Sequence, residues 1–142
     1  MIRVVLDTNV VVSACLNEDG LPFYILKLAL AGAVRMYVSD PILEEYEELL
    51  RRKRFQLDRR RIARLLRRIR AGSTLVATPG GLSVAGDPDD DIFLECAWAG
   101  KAQYLITGNT AHFPKRWKYT SVLTPRAFFR EWKGLCGDVA DD

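Results

Sequence analysis

Short apolar runs rich in β-branched residues alternate along this chain with stretches of helical periodicity. That alternation constrains the fold more than any other feature. Residues 2–6 are apolar apart from Arg3, as expected of a strand buried on both faces in a parallel sheet. Further strands are expected at 35–38, 74–77, 103–107 and 119–123. Helices are expected between them: a short one after Asp7, then 22–32, one from Pro41, an amphipathic one closed by Gly72, one from Pro88 to Gly100, and 125–132. Strands alternating with helices imply an α/β fold with a mostly parallel sheet. Right-handed crossovers then bring the strand C-termini to one edge, where sites in such folds lie. Two strands end in polar clusters, Asp7-Thr8-Asn9 and Thr107-Gly108-Asn109.

At 142 residues the chain is expected to be one domain, spanning 2–133, with an acidic tail at 134–142. The balance of 49% hydrophobic and 27% charged residues excludes a disordered chain, a fibre or a coiled-coil rod. No apolar run reaches the roughly 18 residues of a membrane helix, and the N-terminus lacks a signal-peptide layout. Cys15, Cys96 and Cys136 have no paired spacing, so reduced, packed thiols and a cytoplasmic location are expected.

The net charge of +3 conceals an asymmetry. Residues 51–70 hold eleven Lys/Arg and one acid, Asp58, a net of +10, which leaves the remainder at −7. In the amphipathic helix Ile62, Leu65, Leu66 and Ile69 share a face, and the arginines fall mainly on the other. Such a face either binds anions or is simply solvated.

Several acids have ordinary explanations. Asp7 suits a helix N-cap, and Glu44, Glu45, Glu47 and Glu48 favour the helix dipole. Four aspartates among residues 87–91 exceed what capping requires. Like charges a few ångström apart repel by about 4 kcal/mol at an effective dielectric of 20. A divalent cation would remove that cost, and oxygen ligands without a Cys/His cluster favour Mg²⁺ or Mn²⁺ over zinc.

Five segments, in order along nearly the whole chain, resemble the PIN-domain family of the VapC type, the toxins of toxin–antitoxin pairs. They are Leu6-Asp7-Thr8-Asn9; residues 39–46, Ser39 to Tyr46; residues 87–97, Asp87 to Ala97; residues 104–109, Tyr104 to Asn109; and residues 123–129, Leu123 to Phe129. The resemblance implies a three-layer α/β/α fold around a five-stranded, mostly parallel sheet. It implies a metal-dependent endoribonuclease that uses Mg²⁺ or Mn²⁺, with Asp7, Glu45 and Asp90 as catalytic and metal-binding acids. Thr8, Asn9, Thr107 and Asn109 would support those carboxylates. The family often carries a fourth acid where this chain has Asn109, and Asp87 is the better candidate for the missing charge, Asp91 being turned by about 100° from Asp90.

Arg59, Arg60, Arg64, Arg67 and Arg68 are expected to bind RNA phosphates, which the acidic site alone would repel; an acidic antitoxin is the other candidate partner for these helices. The family tendency is a homodimer. A catalytically weak RNA-binding domain is the alternative that Asn109 keeps open. A phosphotransferase with Asp7 as nucleophile fits less well, because that class wants a second Asp where Asn9 stands. His112, after the Asn109 loop, reads either as a residue near the substrate or, the favoured reading, as loop packing, and Trp98, Trp117 and Trp132 read as core or dimer contacts.

Overall fold

The computed structural model describes residues 1–140. The expected strands and helices form, around a sheet with one more strand than expected. The strands are β1 (Arg3–Leu6), β2 (Arg35–Val38), β3 (Thr74–Leu75), β4 (Tyr104–Ile106), β5 (Arg116–Trp117) and β6 (Thr120–Leu123), in the order β3-β2-β1-β4-β6-β5. All neighbours pair in parallel except β5, the added strand, which pairs antiparallel with β6. At two residues β5 is too short for periodicity to reveal. Lys118, at φ 57° in the left-handed region, turns the chain back into β6.

The helices are α1 (Thr8–Leu16), α2 (Leu21–Leu30), α3 (Asp40–Leu50), α4 (Arg59–Gly72), α5 (Pro88–Gly100) and α6 (Pro125–Ala140). Local chemistry starts them, at the expected places for α3 and α5 and at an unexpected cap for α4. Ser39 Oγ accepts from Ile42 N at 3.4 Å before α3, Asp58 Oδ1 from Arg60 N at 3.0 Å before α4, and Asp87 Oδ1 from Asp89 N at 2.9 Å before α5. These caps satisfy backbone donors that have no partner inside the helix. Two boundaries differ most: β3 stops at Leu75, short of the expected 77, and the last helix is longer than expected. α6 passes Trp132 and Gly134 and runs to Ala140, so most of the expected tail continues the helix; residues 141–142 of that tail lie outside the described residues.

Successive strand side chains point to opposite faces, and Val4, Val5 and Leu6 are all fully buried. Helices therefore cover both faces of the sheet, giving three layers. α5 packs across β1, β2 and β4, whereas α2 and α6 pack on each other and reach β2 and β4/β6 respectively. At the end of α5, a Cβ on Gly100 would lie 2.6 Å from the buried Tyr37 ring, so only glycine permits that approach.

The order around β1 positions the site. From β1 the chain moves outward one way to β2 and β3, and the other way to β4 and β6. The direction reverses between β1 and β4, and a crevice opens there beyond the strand C-termini. Asp7 follows β1 and Thr107 follows β4.

Candidate active site

Burial fixes Asp7. It is 7% exposed, and its N–H donates to Ile106 O at 2.9 Å. Thr107, fully buried, donates its hydroxyl to Asp7 Oδ2 at 2.7 Å, and Asn9 Nδ2 approaches the same oxygen at 3.3 Å. Asn9 Oδ1 accepts from Gly108 N at 2.9 Å, so one asparagine joins the two strand ends. Thr107 Oγ1 also accepts from Asn109 N at 3.0 Å.

Glu45 reaches the same place from α3. The buried Tyr46 hydroxyl donates to Leu6 O at 2.5 Å and pins α3 beneath the end of β1. The preceding residue, Glu45, consequently lines the cleft and accepts from the Thr8 hydroxyl, while Glu44 points to solvent. Asp90 enters from the first turn of α5, where Asp87 holds the cap. Asp87 itself is exposed and turned to its own helix, and it does not line the cleft. Asp91 is buried and accepts from Val84 N and Ala85 N at 3.0 and 2.8 Å, fastening the preceding loop.

The three cleft carboxylates share an electrostatic environment. Burial raises Asp7 above the ordinary carboxylate value, against the opposing Thr107 bond. Burial also pushes Glu45 up to about 7, with the charges of Asp7, Asp89 and Asp90 adding to it. Asp90 is raised by burial and then by Asp7, while His112 opposes the shift. Carboxylates raised by burial and by neighbouring acids in a cleft mark functional sites more often than structural ones. The donor set is entirely oxygen, which suits a hard divalent cation. Among the described residues no three His, Cys, Asp or Glu side chains are already grouped to hold a metal ion.

Two cleft residues, Arg54 and Phe55, are not marked by the sequence, and His112 takes the site position over the favoured loop-packing one. His112 is exposed, not packed: Nε2 lies 3.0 Å from Asn109 Nδ2, and Nδ1 lies 3.6 Å from Asp90 Oδ2. Arg54 and Phe55, in a 3-10 turn between α3 and α4, also line the cleft. The turn is set by Gln56, a non-glycine residue at φ 51°, and nothing in the local periodicity announces it.

The five arginines expected to contact RNA do not form one patch. Arg64 and Arg68 flank a groove between α2 and α4 together with Arg61, which donates to Cys15 O at 2.9 Å. Arg59 lines a second cleft beside Arg51, Arg52 and Lys53. Arg60 and Arg67 are exposed and line neither. Of the cysteines, Cys96 is buried and its thiol is pushed up to about 12 by that burial; Cys136 is exposed, contrary to the expectation that all three pack. Trp98 is 44% exposed and stacks on Tyr119, so it is not core.

The sequence profile of the PIN domain matches residues 3–111, which contain every one of these cleft residues except His112. The chain belongs to the PIN-domain family. PIN domains form a nuclease superfamily, and the α/β architecture with its mostly parallel sheet is the PIN fold. A similar protein is uncharacterized protein MJ1680 of Methanocaldococcus jannaschii, 31% identical over 144 residues that cover 93% of this chain and 92% of that one. No helix of the described PIN domain is long and apolar enough to cross a membrane.

Proposed function

We propose that this PIN domain is an endoribonuclease that hydrolyses RNA phosphodiester bonds with Mg²⁺ or Mn²⁺, as the toxin of a toxin–antitoxin pair. The observation that carries the reading is the meeting of Asp7, Glu45 and Asp90 in one cleft at the β1/β4 switch point, where each is held above its ordinary proton affinity. When bound there, a divalent cation would activate water and neutralise charge on the phosphate.

The chain's own residues do the remaining work. Asp7 would be the central ligand, because it is the most buried of the three and its Oδ2 is held by Thr107 and Asn9. Such outer partners orient a ligand and set its basicity. Glu45, with a proton affinity near neutrality and the Thr8 hydroxyl on Oε2, is suited to take the proton from attacking water. Asp90, less enclosed, completes the carboxylate set. The basic residues of α4 and of the turn before it supply the attraction that the acidic cleft lacks.

Incubation with structured RNA and Mn²⁺ or Mg²⁺, with and without EDTA, tests this. Cleavage that needs the cation and disappears in Asp7→Asn is the expected result. Equal cleavage by the variant would remove Asp7 from its role. Asn109 favours one second reading, a catalytically weak RNA-binding domain: it lines the cleft, carries no charge, and its amide already faces His112. Binding without cleavage in the same assay is the result that reading predicts.

A further inference from the structure

The cleft holding Asp7, Glu45 and Asp90 has two kinds of lining. One is acidic. The other half of the chemistry comes from Leu16, Leu49, Phe55 and Arg54. The whole is an open cleft of about 340 Å³, within the size range of small-ligand sites. Leu16 is 52% exposed and Phe55 and Leu49 half-buried, so this half presents an apolar surface to solvent beside charged groups.

Arg54 is the unusual member. Three carboxylates line the same cleft, yet among the described residues Arg54 joins no ion pair. Its guanidinium instead lies over the Phe55 ring, 4.8 Å from the centroid. A planar guanidinium can stack through its face while its N–H edge stays free to grip an anion. Gln56, at φ 51°, and the bond from its N–H to Lys53 O at 3.0 Å hold the turn that presents the pair.

We infer that the Arg54–Phe55 pair is a nucleotide subsite: an unpaired base next to the scissile bond packs on the guanidinium–phenyl stack and the apolar wall, and the adjoining phosphate takes the guanidinium edge. The inference rests on the nuclease reading for which bond is broken, but not for what the pair binds. Bases in a duplex are already stacked and cannot lie flat on such a wall, so the subsite selects single-stranded RNA. Aromatic platforms and arginine planes take unpaired bases in this way.

The test is binding, which is separable from cleavage. In the Asp7→Asn background, a fluorescein-labelled random-sequence 10-nucleotide RNA is titrated by anisotropy alongside a 10-base-pair RNA duplex. Arg54→Ala and Phe55→Leu should each weaken the single strand by about tenfold, the scale of losing one stacked base. Phe55→Leu keeps an apolar side chain against the core, and Phe55→Trp should restore binding. Arg54→Ala should also make the slope of log affinity against log salt shallower by about 0.7, one phosphate contact. The duplex should change by less than twofold with Phe55→Leu. Unchanged single-strand affinity, or equal losses on strand and duplex, would overturn the subsite. Failure of the nuclease reading shows instead as absence of cation-dependent cleavage by the unmodified chain.

Discussion

Thr107 donates its hydroxyl to Asp7 Oδ2 at 2.7 Å across a sequence separation of 100 residues, tying the ends of β1 and β4 together at the point where the sheet order reverses. Thr107→Val keeps the shape of the side chain and removes the donor. Asp7 then loses the strongest influence lowering its proton affinity. On the proposed reading, Mn²⁺ affinity measured by calorimetry should fall about 10-fold to 100-fold, the usual cost of removing a ligand's outer partner. An unchanged affinity would make the Thr107 bond a purely structural clasp.

Glu45 gives a pH signature in cation-free protein. Its proton affinity is raised from an ordinary 4.5 to about 7, so between those values the folded chain holds a proton that the unfolded chain has released. Stability contributed at this position is therefore fully present below about 4.5 and falls as pH rises through about 7. Glu45→Gln removes that dependence. With EDTA present, the melting temperature of Glu45→Gln should gain on the unmodified chain progressively from pH 4.5 to above 7. A pH-independent difference would contradict the burial of the carboxylate.

Gly100→Ala tests the packing behind the site. Its Cβ would meet the buried Tyr37 ring at 2.6 Å, and neither the helix end nor β2 can move away cheaply. Overpacking of this kind costs about 1–3 kcal/mol, readable in urea unfolding. A loss below about 0.5 kcal/mol would mean that Tyr37 repacks freely.

Salt dependence counts the arginines that meet RNA. Five phosphate contacts would give a slope near −3.5 for single strands. Because Arg64 and Arg68 share a groove that Arg59 does not border, Arg64→Ala with Arg68→Ala should flatten the slope by about 1.4. A slope that ignores the double substitution would leave this helix face simply solvated.

The sequence predicts the layers because their signals are local. Buried strands are continuous apolar runs, and Ser39 and Asp87 announce the helices they cap. The carboxylates were accessible through motif order, and the structure places Asp7, Glu45 and Asp90 in one cleft. What escaped depends on tertiary geometry. Arg54 and Phe55 reach the cleft through a left-handed residue at Gln56, and His112 through a short 3-10 turn after β4. β5 has only two residues, and Gly134, the expected start of the acidic tail, lies inside α6. Charge counting grouped the arginines by position along the chain, whereas helix rotation and the turn before α4 divide them among separate surfaces.

The clasp between Asp7 and Thr107 also sets when the site can exist. During synthesis Asp7 emerges early but has no hydroxyl to receive until residue 107 has left the ribosome and β4 has entered the sheet beside β1. At about 5–20 residues per second that interval is of order 5–20 seconds. A nascent or truncated chain thus carries the proposed catalytic acids without the geometry that joins them, next to the ribosomal and messenger RNA that produced it.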